Sequence, residues 1–317
     1  MKIKSAPVVF LGLIIVSIAR LPAAAESSGT QNLTPMQVSA TAMKKVSFTP
    51  TAPAFAKSNL PANIAEEQQT LVFAAPPYET EAEAVRTYQP IAQYLSRVIG
   101  KKIVFQHPKD WLTYQTEMQR GSYDLVFDGP HFNSWRITNL QHSTLVKLDD
   151  DHAFVVVVRK DDRIANLKQL AGRKICGMTP PDLGTLAVLG QFDNPVRQPL
   201  IVNTLGAAKV YESVAIEKQC AAGILPVASL KKFRDSENLV RVIHKTRSMP
   251  NQALSAGPRI SREDQARIAA TLMSPEASKI VSRLVAAYGT DKGLAYASKE
   301  DYAGLDVYLK DTWGYGR

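Results

Sequence analysis

The chain has 317 residues, 45% of them hydrophobic, with two cysteines and a formal net charge of +9. The charge suits anionic ligands, but no Lys/Arg block with interleaved aromatics points to nucleic acid. No CxxC pair or Cys/His spacing is present. The five histidines (107, 131, 142, 152 and 244) form no HxxxH or HExxH pattern, so neither a metal nor another cofactor is expected.

In chain order, residues 1–25 read as a secretory signal. Lys2 and Lys4 precede an apolar run from Pro7 to Ala19, and "LPAAA" ends in small residues suited to cleavage after Ala25. The run is short for a bilayer span and Arg20 interrupts it; an uncleaved anchor is the alternative. No cysteine stands at the cleavage site, which argues against a lipid anchor. Cleavage would remove three positive charges and no acids, taking +9 to +6. Residues 26–69, dominated by Ser, Thr, Ala and Pro, read as a flexible tether.

Ordered structure is expected from "TLVFAAPPYET", a short β-run that ends at Pro76-Pro77. Ala84, Val85, Tyr88, Ile91, Ala92 and Leu95 then fall at helical spacing, and Gly100 stands at the C-cap position. "KKIVFQH" is a strand. "DWLTYQTEMQRG" is a helix with Asp110 as N-cap and Gly121 as stop. "YDLVFD" is a strand that runs into "GPHFNSWRITNL", with Pro130 in the first helical turn. "STLVKL" and the strongly apolar "HAFVVVVRK" follow. This order predicts a mostly parallel sheet with helices on both faces.

The rhythm then restarts. "IANLKQLAG" reads as helix, "RKICGM" as strand, "DLGTLAVLGQF" as helix, "QPLIVN" as strand and "GAAKVYESVAIEKQ" as helix. "CAAGILP", "VASLKKFRD" and "LVRVIHK" add strand, helix and strand, and 261–273, 275–288 and 301–310 read as helical. About 250 residues after the tether fit two α/β lobes. Cys176 and Cys220 each stand at or beside a second-lobe strand. In an oxidising compartment one structural disulfide is their leading reading.

The stretch "YQPIAQYLSRVIGKKIVF…WLTYQTEMQRGSYDLVFDGPHF" resembles the phosphate/phosphite/phosphonate-type substrate-binding proteins of bacterial ABC transporters. "VVVVRKDDRIANLKQLAGRKICGMTPPDLGTL" is similar to that family's hinge strand and second-lobe entry. "VRVIHKTRSMPNQALSAGPRIS" is similar to its return segment, and "EDYAGLDVYL" to its late tyrosine helix. The resemblance covers about 70–310. It implies a type II periplasmic-binding-protein fold with a ligand cleft between lobes, lobe 1 from 70–154 with 246–317 and lobe 2 from 155–245. It also implies an exported, non-enzymatic protein in the periplasm, expected as a monomer, that delivers a phosphonate- or phosphate-like oxyanion to a permease. A receptor feeding a membrane sensor protein, with a different ligand, is the alternative. No GxSxG, P-loop or GxGxxG motif supports an enzyme.

Ligands of such sheets sit at strand C-terminal ends beside helix N-termini. That places Asp128, Gly129, Pro130, His131 and Phe132 on the first wall, His131 as a donor to an anion and Phe132 shaping the ligand. The other reading is that Asp128 is a cap and His131 a surface residue. Opposite them stand Thr179, Asp182 and Thr185, where the family carries a run of Ser/Thr. Asp182 is either the helix N-cap or a ligand contact, and a carboxylate there favours an amine over bare phosphate. Lys209 stands where the family tends to have a histidine and could pair with an anion or simply be exposed. Tyr78 contacts ligand or packs its loop. Asp149-Asp150-Asp151 reads as a solvated turn.

Overall fold

Two sheets organise the chain in the computed structural model, which describes residues 70–233, 239–290, 292–310, 312 and 315. The expected signal segment 1–25 and tether 26–69 lie outside the described residues. The first sheet contains β1 (Leu71–Ala74), β2 (Ile103–Gln106), β3 (Leu125–Asp128), β4 (Ser143–Leu148), β10 (Ala253–Ala256) and β11 (Leu294–Tyr296), in the order β11-β4-β10-β3-β1-β2. The second has β5 (Phe154–Arg159), β6 (Lys174–Gly177), β7 (Leu200–Asn203), β8 (Ala222–Pro226) and β9 (Val240–Lys245), in the order β7-β6-β8-β5-β9.

Each sheet is parallel except where the chain arrives from the other. β1 pairs in parallel with β2 and β3, whereas β10, the strand that returns to this sheet, is antiparallel to both β3 and β4. β6 pairs in parallel with β7 and β8, and the arriving β5 is antiparallel to β8 and β9. β11 adds an antiparallel edge on β4. The result is a two-lobed α/β fold with mixed sheets.

Side-chain alternation explains why the strands read as unbroken apolar runs. Phe154, Val156 and Val158 enter one core while Val155 and Val157 enter another on the opposite face of the sheet. In the first lobe Leu125 and Phe127 pack under α1 (Glu81–Ile99), while Val126 joins Tyr114, Met118 and Phe132 behind them. Helix α1 starts at a Thr80–Glu83 capping box and ends at Gly100, whose φ of 67° suits a left-handed cap. Asp110 caps α2 (Trp111–Gln119) through the Thr113 N–H at 2.7 Å. Cys176 on β6 is bonded to Cys220, two residues before the neighbouring strand β8, with Cα atoms 5.6 Å apart.

Three stretches differ from expectation. "IANLKQLAG" holds only a 3₁₀ turn (Leu167–Leu170), because Gly172 with φ 67° ends it almost at once. The helix expected over 301–310 is split by Gly304, φ 73°, into a helical turn at Lys299–Tyr302 and a 3₁₀ segment at Leu305–Leu309. β11, only three residues long, carries too little pattern to be read from sequence.

Candidate ligand site between the lobes

The turn after β3 is built from beneath. Asp128 is wholly buried, and its carboxylate accepts from Arg136 Nη1 at 2.9 Å, from the Gly129 N–H at 2.6 Å and from the Tyr114 hydroxyl. Arg136, on α3 (Pro130–Leu140), also donates to Asn133 Oδ1 at 3.0 Å and Ser255 Oγ at 3.3 Å. Asn133 in turn donates to the carbonyl of Asp128 at 2.7 Å. This network ties strand, turn, helix and β10 together and leaves no buried charge unpaired. Above it, Gly129 lets the His131 ring lie against the backbone, for a Cβ there would stand 3.0–3.1 Å from the ring.

His131 reaches across to the second lobe. Its Nε2 lies 3.0 Å from the Pro181 carbonyl, and burial holds its pKa down to about 3. A carbonyl only accepts, so Nε2 carries the proton and Nδ1 is left as an acceptor. The expectation of His131 as a donor to an anion is corrected on this ground: its one N–H is already committed to Pro181.

In the second lobe the loop after β6 contains a cis Pro180-Pro181 peptide and ends at Asp182, which caps α4 (Leu183–Leu189) by accepting from the Thr185 N–H at 3.0 Å. Burial pushes the Asp182 carboxyl up to about 6, against the pull of the Thr185 and Gly184 N–H groups. No salt bridge to Asp182 is found among the described residues. A second glycine is required here: a Cβ on Gly184 would come within 2.5 Å of the Phe154 ring.

Between the two turns lies a cavity of about 260 Å³. Tyr78, Glu79, Gly129, Pro130, His131, Gln252 and Tyr288 line it from one side, and Met178, Asp182, Leu183, Thr204, Gly206, Ala207 and Ser229 from the other. His152 and Phe154, at the crossing between lobes, lie along it, and Val210, Ile224 and Pro226 add apolar wall. Burial, then the charges of Asp182 and Asp128, push the Tyr78 phenol well above its ordinary value, so it stays protonated and able to donate. Burial, then Glu83, raises the Glu79 carboxyl, and burial lowers His152 to about 4.

The structure therefore brings together Tyr78, Gly129, Pro130, His131 and Asp182 of the sequence-derived set. It places the others away from the cavity wall. Asp128 is sealed under its turn. Phe132 packs in an aromatic cluster with Trp111, Tyr114 and Tyr315 at centroid distances of 5.7–6.1 Å. Thr185 is held by its hydroxyl bond to the Met178 carbonyl, and the Thr179 N–H bonds Asn203 Oδ1 at 3.3 Å. Lys209 is exposed on α5 (Ala207–Ala215), paired with Glu212 at 3.2 Å and Glu217 at 2.6 Å. Sequence reasoning missed Glu79, although it adjoins Tyr78. It also missed His152, Gln252 and Tyr288, which reach the cavity only through the crossing and a distant helix end.

A cleft at the C-terminal strand ends of two α/β lobes defines the solute-binding class of two-lobed proteins. The sequence model of the family described as "ABC transporter, phosphonate, periplasmic substrate-binding protein" matches residues 73–302, and the chain belongs to that family. A curated relative, the phosphate-import protein PhnD of Mycolicibacterium smegmatis, is 26% identical over 122 residues, which span 35% of this chain and 37% of the relative. The fold is shared with PhnD1 of Prochlorococcus marinus in complex with methylphosphonate (TM-score 0.60, 13% identity, 77% of this chain and 98% of that one). It is also shared with a binding protein component of an ABC phosphonate transporter from Pseudomonas aeruginosa (TM-score 0.56, 13% identity, 74% and 83%). Among the described residues no helix is long and apolar enough to cross a membrane.

Proposed function

We propose that this protein is exported, captures a small solute between its lobes and hands it to the permease of an ABC importer. The observation that carries this reading is the cavity itself, walled from both lobes and bridged by the bond from His131 to the Pro181 carbonyl. Family membership supports it further. The lobe division at 154/155 and 245/246 and the cleft residues named above belong to the same proposal. Phosphorus oxyanions are the first candidates from the relatives, and the start of α5 at Gly206, which has no side-chain cap, is where such a group would find free N–H donors.

The test is a thermal-shift screen of the purified protein with phosphate, phosphite, methylphosphonate and small organic amines, followed by small-angle scattering. A solute at a hundredfold over its Kd adds about 2.7 kcal/mol, a rise of a few degrees. A rise accompanied by a smaller radius of gyration supports capture by lobe closure. Silence across the panel, in both measurements, counts against the cleft as a ligand seat.

A further inference from the structure

We infer that the solute this cleft selects is an organic amine bearing N–H donors, rather than a bare phosphorus oxyanion. The inference rests on the reading of the cleft as the ligand seat. Among the described residues that line the cavity, none is lysine or arginine, while two, Glu79 and Asp182, are carboxylates. An anion with two charges, taken out of water into this space, would meet like charge and no side-chain cation.

Asp182 completes the argument. Burial raises its carboxyl only to about 6, so it is largely ionised at neutral pH, with no lysine or arginine paired with it among the described residues. An ammonium or guanidinium supplies the missing charge and N–H donors for the carboxylates. The remaining wall, from Phe154, Leu183, Val210 and Ile224, suits a hydrocarbon body.

Isothermal titration of the purified protein with n-butylamine, benzylamine and phenylguanidine, against phosphate and methylphosphonate, tests this. The expected result is binding of at least one N–H cation and none of the anions at equal concentration. Asp182→Asn should weaken it about tenfold or more, since it keeps the helix cap and loses only the charge. A tetramethylammonium control should bind less well than the primary amines, since it has no N–H to give the carboxylates. Anion binding that persists or strengthens in Asp182→Asn would overturn the inference and leave the solute-capture reading standing. Binding of neither class, with no change in the radius of gyration, would overturn both.

Discussion

Asp128 and Asp182 occupy equivalent places in the two lobes: each is a buried carboxylate where the chain turns from a strand of the sheet into a helix. Their fates differ because of one residue. Arg136, eight positions after Asp128 on α3, reaches back and pairs with it at 2.9 Å, so Asp128 belongs to the scaffold. Among the described residues no arginine or lysine does the same for Asp182, and on the reading proposed above its charge is left for what enters the cleft. The lesson is that residue type and position in a turn do not separate scaffold from site. The partner does.

That contrast can be broken most severely at Asp128. Asp128→Asn should destabilise the protein by about 3–5 kcal/mol in urea unfolding, because it strands a buried guanidinium. The double change with Arg136→Met should recover much of the loss. If the single change costs less than 1 kcal/mol, the turn does not depend on this pair.

A smaller effect of opposite sign is expected at Asp182. Its folded pKa of about 6 lies above the ordinary 3.8, so the folded state holds this proton more tightly than the unfolded one. Stability from this group is therefore gained as pH falls from above 6 towards 4 and lost as pH rises again. Asp182→Asn should be more stable than the parent by about 1–3 kcal/mol at pH 7.5, with the gap closing by pH 4. His131 and His142, both lowered to about 3, and His152, lowered to about 4, act the other way in both proteins and cancel in the difference. A gap that is constant from pH 4 to 7.5 would show that Asp182 is not desolvated in solution.

The smallest effect belongs to Lys209→Ala, which should leave both melting temperature and ligand affinity unmoved, since its ammonium is exposed and bonded to Glu212 and Glu217. Loss of ligand binding in this variant would restore the anion role that the sequence alone allowed.

Much of the fold was legible because strand and helix periods are local. The αL glycine after α1, the Asp110 cap and Pro130 in the first turn of α3 all announce themselves within a few residues. Strand direction does not: β5 reads like its neighbours and is reversed only because it arrives from the other lobe, and β10, four residues of Ala, Leu and Ser, carries too little pattern to read as a strand. The site divides in the same way. Gly129, Pro130 and Asp182 could be placed from their turns, and Tyr78 from the strand before it. His131 lies on the cavity wall, but its hydrogen-bonding role cannot be read from its own turn, because the group that sets its tautomer lies fifty residues away in the other lobe. Gln252 sits in a segment with no period, so nothing local announces that it lines the cavity.

His152 and Met249 exchange backbone hydrogen bonds of 2.8 and 2.9 Å where the two connecting segments pass side by side. On the solute-capture reading proposed above, connections joined in this way act as one torsion ribbon, resisting sliding and yielding mainly by twisting about their common axis. Since the His152 side chain is also part of the cavity wall, a solute in contact with it presses at the fulcrum, not at the end of the lever. A misfit of a few tenths of an ångström there would be magnified into a far larger gap between the lobe tips. On the solute-capture reading, such a hinge would gauge the size of its cargo as well as close around it.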